Sequence, residues 1–330
     1  MPAITKPNQH FNATLYTGTG SARSVTGVGF QPNFVWIKER SSTSGHALFD
    51  VVRGVQKRLV SNGTDAEDTS AQLLTAFNSD GFSVGTDGAI NENTQTYVGW
   101  QWKAGGTSVI NTSGTISSNV SANPTAGFSI IQFTATGATA NVGHGLGVAP
   151  QMIIVKDAAS EGNWAVWHTS LTSTAHYLFM NTTAAQASAS AIWTGTPSST
   201  TFGIGSWHTA DRQIAYCFAP IAGYSAFGKY TGNGSTDGAF VYTGFRPRFV
   251  LIRSTSNLRE WFLVDTARNS FNVANSPLRA NSTGAEGTDT VLDMVSNGFK
   301  LRSSDTAFNA SETYIYAAFA EAPFKFANAR

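Results

Sequence analysis

Hydrophobic and polar positions alternate with a period of two along much of the chain. In GFQPNFVWIK (residues 29–38), Val35 and Ile37 fall on one face of an extended segment, and Phe34, Trp36 and Lys38 on the other. Near residue 100, Val98, Trp100 and Trp102 share one face, with Gly99 and Gln101 opposite. Both faces carry bulk, which predicts strands held between two layers, as in a β-sandwich. Pro32, Pro150 and Pro247 stand where such strands begin, a place that tolerates a missing N–H. Turn signals recur every 8 to 12 residues or so, the spacing of sandwiches and barrels. Helical periodicity is scarce. It predicts only two short helices, over 70–78 and 290–296, each of two turns or less.

The pattern is written more than once. YTGTG (16–20) and GFQPNFVWIK (29–38) return as YTGNG (230–234) and GFRPRFVLIR (244–253). Asp50 and Arg53 match Asp265 and Arg268, NGTDAEDT (62–69) matches NSTGAEGT (281–288), and SDGF (79–82) matches SNGF (296–299). A more divergent copy lies between them. FTATG (133–137) replaces the opening motif, GLGVAPQMIIVK (145–156) carries the strand, and NTTAAQAS (181–188) echoes the Asn-x-Thr segment. AYCFAP (215–220) answers AAFAEAP (317–323). The chain is therefore expected to be all-β, with three tandem β-sandwich modules of jelly-roll or lectin-like type related by internal repeat. The expected bounds are 1–104, 128–222 and 223–330, with a polar linker or extra hairpin over 105–127. The short apolar junction at 219–229 predicts that the second and third modules are docked.

Composition sharpens this picture. Of 330 residues 41% are hydrophobic and 12% aromatic, which argues against disorder. Only 12% are charged, about half the globular average of about 25%. With 21 basic and 20 acidic residues the net charge is +1, and no basic run is long enough to track a phosphate backbone. Arg246, Arg248, Arg253 and Arg259 come closest and are read as a solvated loop and strand edge. Cys217 is the only cysteine, so no intrachain disulfide is expected and a buried packing role is. The N-terminal residues lack the apolar core of a signal peptide, and no run nears the roughly 18 apolar residues of a membrane helix. Assembly in a reducing cytoplasm is expected, with no membrane insertion.

Candidate chemistry is thin. His10, His46, His144, His168, His176 and His208 show no close metal-ligand spacing, and His168 falls where the other copies have Asp50 and Asp265. The Asp50/Arg53 and Asp265/Arg268 pairs read as internal salt bridges, with a carboxylate clamp for sugar or metal as the functional alternative. Glu67 and Glu286 recur beside them and raise the question of a paired-carboxylate site. The glycine-rich GHGLG (143–147) and GNGSTDG (232–238) precede strands, so they read as turns rather than phosphate loops. Asn62, Asn181 and Asn281 each open an Asn-x-Thr sequon, and their recurrence points to a structural turn. No catalytic residue, metal site or cofactor is expected.

Taken together, the YTGTG, GFQPNFVWIKER, FDVVRG, NGTDAEDT and NSDGF segments resemble a family of uncharacterised proteins common in marine and cyanobacterial phages. GYSAFGKYTGNG and YIYAAFAEAPFK resemble its C-terminal half. The resemblance implies a non-enzymatic structural protein of the virion. A capsid decoration or cement protein is the leading expectation, because the chain shows no coiled-coil or collagen-like shaft. The alternatives are a tail-fibre or receptor-binding module for host surface glycans, and a glycan depolymerase. Expected partners are other virion proteins, namely the major capsid protein or tail proteins, with a host glycan as a further candidate. A homo-oligomer is expected, most simply a trimer. Trp36, Trp164, Trp167, Trp193 and Trp207 are the candidate binding or interface anchors, since exposed indoles stack on sugars and partner surfaces.

Overall fold

The computed structural model describes residues 4–321, so Pro323 of the closing motif lies outside the described residues. The alternation near residue 35 becomes the strand Phe34–Glu39, paired antiparallel with Thr96–Trp102 on one side and Ala47–Asp50 on the other. Phe11–Thr17 lies beyond Thr96–Trp102. The same order of neighbours occurs twice more. In the middle of the chain it runs Phe128–Thr134, Arg212–Phe218, Met152–Asp157, Ala165–His168. Near the end it runs Ser225–Thr231, Thr313–Ala320, Pro247–Ser254, Phe262–Asp265. The registers agree too: Phe34 stands opposite Trp102, Met152 opposite Phe218, and Phe249 opposite Phe319. Segment 105–127 supplies Val109–Asn111 and Ser118–Asn123, a hairpin that extends the middle sheet.

Each of these inner sheets is buried on both faces. One face of each joins a single shared core, to which Phe34, Trp36, Met152, Tyr216, Phe249 and Leu251 all belong. At its centre are Trp102, Phe218 and Phe319, which hold the same place in their registers. Their ring centroids form a triangle with sides of 6.3, 5.6 and 5.8 Å, each pair close to edge-to-face. Nearly equal sides mean that the three inner sheets surround an approximate threefold axis. The gap among the surrounding side chains is about 30 Å³, an order of magnitude below the roughly 300 Å³ of a small ligand pocket.

The opposite faces pack on smaller outer sheets. Val35 and Ile37 meet Leu74, Phe82 and Val84 from Arg23–Thr26, Gly81–Val84 and Leu74–Asn78. Ile153 and Val155 meet Phe202 and Ile204 from Ala140–Gly143 and Thr201–Ile204. Val250 and Ile252 meet Met294, Phe299 and Leu301 from Phe240–Tyr242, Gly298–Leu301 and Leu292–Val295. The protein is thus all-β, a set of sandwiches with their inner sheets turned to one common core.

Two local expectations are corrected. Residues 70–78 and 290–296 are not helices: they hold the strands Leu74–Asn78 and Leu292–Val295. Each is the first arm of a hairpin closed by two residues, with Asn78 paired to Gly81 and Val295 to Gly298. Those tight turns, together with inward-facing Leu74 and Met294, override a helix-like spacing of apolar residues. The α-helices are single turns at Gly88–Asn91 and Thr306–Asn309. Each opens with an aspartate, Asp87 or Asp305, whose carboxylate accepts from the N–H of Ala89 or Ala307.

Candidate functional site

The polar groups that alternation leaves over are used where one sheet pair, or unit, meets the next. Four sets of contacts repeat around the axis. The backbone N–H groups of Ser44, Gly162 and Arg259 donate to the carbonyls of Thr283, Thr64 and Thr183 at 3.0, 2.8 and 3.1 Å. Those of Glu286, Glu67 and Gln186 donate to Arg40, Ala158 and Thr255 at 2.8, 3.0 and 2.9 Å. Ring nitrogens of His46, Trp164 and Trp261 meet the carbonyls of Arg279, Val60 and Phe179 at 2.9, 3.0 and 2.9 Å. The recurrent asparagines fix these rings. Asn62, Asn181 and Asn281 accept from the backbone N–H of His46, Trp164 and Trp261 through their side-chain oxygens. The Asn-x-Thr pattern therefore encodes a joint: the asparagine braces its own unit and the threonine carbonyl binds the neighbour.

The fourth set holds the charged residues. Trp100 Nε1 donates to Asp265 Oδ2 and Tyr216 Oη to Asp50 Oδ2, both at 2.9 Å. Asp50 also takes Arg53 Nε at 2.5 Å, and Asp265 takes Arg268 Nε at 2.7 Å, with all four side chains fully buried. The arginines reach on to Glu67 and Glu286 at 3.2 and 3.3 Å. Those glutamates also pair with a cation of another unit, Arg212 at 3.0 Å and Arg40 at 2.7 Å. Burial works to raise the pKa of Asp265, but Arg268 and the hydrogen bonds from Arg268 and Trp100 outweigh it, leaving the pKa lowered. Glu286 is lowered in the same way, burial being outweighed by Arg40 and Arg268. An acid–base pair needs one carboxyl free to carry a proton and both within reach of substrate. Here arginine holds Asp265 and Glu286 in their ionised forms, and Asp50 and Glu67 are likewise paired with arginine inside a joint.

The middle unit departs from this set as a group. His168, Leu171 and Gln186 stand in the places of the aspartate, arginine and glutamate. Ala317 stands where the others have Trp100 or Tyr216, so no side-chain donor faces His168. His168 Nε2 lies 3.1 Å from the Tyr316 carbonyl, which makes Nε2–H the donor, and Nδ1 accepts from Ser170 N–H. Burial lowers its pKa to about 4. A neutral donor thus replaces an anionic acceptor at the joint where the partner offers only a carbonyl.

The remaining candidates fall inside the structure. His46 is buried and its pKa lowered by burial; it accepts from Trp36 Nε1 at 2.7 Å. His208, lowered by burial to about 4, bonds the Ile192 carbonyl. Cys217 is buried, and burial pushes its thiol pKa up. Among the described residues no three His, Cys, Asp or Glu side chains gather into a metal-binding cluster. Arg253 is not on a solvated edge: it is fully buried and donates to the carbonyls of Ala184 and Arg259. Four of the five tryptophans expected as exposed anchors are also corrected, and the fifth, Trp207, keeps part of its surface open. Trp36 and Trp164 lie in the shared core, Trp167 and Trp193 in the core of the middle unit, and Trp207 is half-buried against Phe179. With both faces of the inner sheets covered, alternation along Phe34–Glu39 and Ala165–His168 carries Trp36 and Trp167 inward.

One surface feature was missed in the sequence. Phe240 and Tyr242, two residues apart on the outer strand Phe240–Tyr242, point to solvent and are 49% and 66% exposed. The inward residue between them is Val241, opposite Phe299, matching Val25 opposite Phe82 and Val142 opposite Phe202. The corresponding positions are therefore Ser24/Thr26, both exposed, and Asn141/Gly143, of which Gly143 is covered by Asn111. The fold accepts small or polar residues at these places, so packing does not call for two aromatic rings. The comparison of F-x-Y with S-x-T and N-x-G at one repeat position was the available signal.

Buried arginine-locked joints, three inner sheets around one axis and an exposed aromatic pair on an outer face characterise this all-β protein. The chain belongs to the family described as a domain of unknown function, DUF7483, whose model matches residues 6–323. A search of the curated proteins finds no match.

Proposed function

We propose that this chain is a non-enzymatic structural protein of a bacteriophage particle, a decoration or cement protein seated on the head shell. The phage setting rests on the resemblance carried by the repeated motifs. The observation that supports the decoration role is the approximate threefold arrangement of the inner sheets. One chain offers three similar units around an axis, so it can touch three neighbouring shell subunits at once, and weak contacts then combine. In this reading the trimer expected from the sequence is built into one chain, and the major capsid protein is the main partner. Particles lacking the chain, mixed with purified protein, test the proposal. Expected are saturable rebinding in proportion to shell subunits and heads that resist heat better. Absence of rebinding, or a few copies confined to the tail, would overturn it.

A further inference from the structure

We propose that the outer face carrying Phe240 and Tyr242 is a binding site for a neutral, hexose-containing glycan. On that face, cross-strand partners form two rows: Phe240 beside Lys300 and Asp293, and Tyr242 beside Gly298 and Val295. A Cβ on Gly298 would come within 3.2 Å of the Phe240 ring, and one on Gly244 within 3.6 Å of the Tyr242 hydroxyl. Both rings therefore lie against glycines, leaving aromatic surface open. Successive outward positions on a strand are about 7 Å apart, a spacing suited to stacking one or two pyranose rings.

Charge selects the ligand class. Lys300 Nζ pairs with Asp237 at 2.8 Å and Arg302 Nε with Asp293 at 2.5 Å. The face thus carries two cations and two carboxylates paired with one another. A phosphate backbone or an acidic peptide would meet as much repulsion as attraction. A ring of hydroxyl groups, each both donor and acceptor, can use the donors and the acceptors together. Two exposed rings are also little apolar surface for a stable protein partner, which covers about 800 Å² on each side.

The test compares the wild type with the double variant Phe240→Ser/Tyr242→Thr, which installs the residues that the first outer sheet carries at these places. Both proteins are applied to an immobilised glycan library and titrated calorimetrically with maltohexaose, cellohexaose and laminarihexaose. The wild type is expected to bind at least one neutral glycan in the millimolar range or tighter. The variant should melt at the same temperature and bind about tenfold or more weakly. No glycan bound by the wild type, or equal binding by both proteins, would overturn the proposal. Self-association of the wild type that the variant abolishes would also overturn it, assigning the face to a second copy of the chain. Failure here leaves the decoration reading standing, because glycan binding is read without particles.

Discussion

Tyr216 Oη donates to Asp50 Oδ2 across 166 residues of sequence, at the joint between the first and middle units. The same carboxylate holds Arg53, which in turn reaches Glu67, so one hydrogen bond couples two sheets to a buried ion-pair network. Tyr216→Phe removes that bond to a carboxylate while keeping the ring, and should cost about 1.5–3 kcal/mol in urea unfolding. Asp50→Ala leaves Arg53 buried without its carboxylate and should cost about 3–5 kcal/mol. Equal losses in the two variants would mean that the local Arg53 pair adds nothing beyond the joint bond, and no loss in Tyr216→Phe would mean that the joint matters little.

The middle unit offers a reciprocal experiment. His168→Asp places a carboxylate against the Tyr316 carbonyl with Leu171 where the other units have arginine. It should destabilise by roughly 2–4 kcal/mol at neutral pH. Adding Leu171→Arg supplies the missing cation and should recover part of the loss. Recovery in full would show that the Trp100 and Tyr216 donors are dispensable; no recovery would show that the unit has lost the geometry for the pair.

Acid should destabilise the protein through its buried histidines. His168 and His208 are lowered from 6.5 to about 4 by burial, so between those pH values the unfolded chain binds more protons than the folded one. Their contribution is fully present above pH 6.5 and declines as pH falls towards 4. The slope should be about 1.4 kcal/mol per pH unit for each histidine, read from urea midpoints at several pH values. His208→Gln should flatten that slope; an unchanged slope would place the proton uptake elsewhere.

Cys217 lies on an inner strand with its side chain in the core of the middle unit. Its thiol should be inert to aromatic disulfide reagents in the native protein and react at the rate of unfolding. Fast labelling under native conditions would show that this sheet opens independently of the rest.

Much of the architecture was legible because period-two alternation is a local property. Val35 and Ile37 face one core and Phe34 and Trp36 the other, as their spacing implies. The shared core was not legible. Alternation says that both faces are buried but not by what, and only the Trp102, Phe218 and Phe319 triangle reveals the axis. The tryptophans misled because residue type was weighed above strand face. Phe240 and Tyr242 were overlooked for the same reason, although the contrast with Ser24 and Thr26 was present in the repeat. The exchange of Asp, Arg and Glu for His, Leu and Gln becomes intelligible only when Ala317 is found opposite.

The decoration reading meets its most direct test in cryo-electron microscopy of intact particles, compared with particles lacking this chain. Difference density for a single chain at threefold or quasi-threefold positions across the head is the predicted result. Density restricted to the tail, or on the head at sites with no threefold character, would contradict the account.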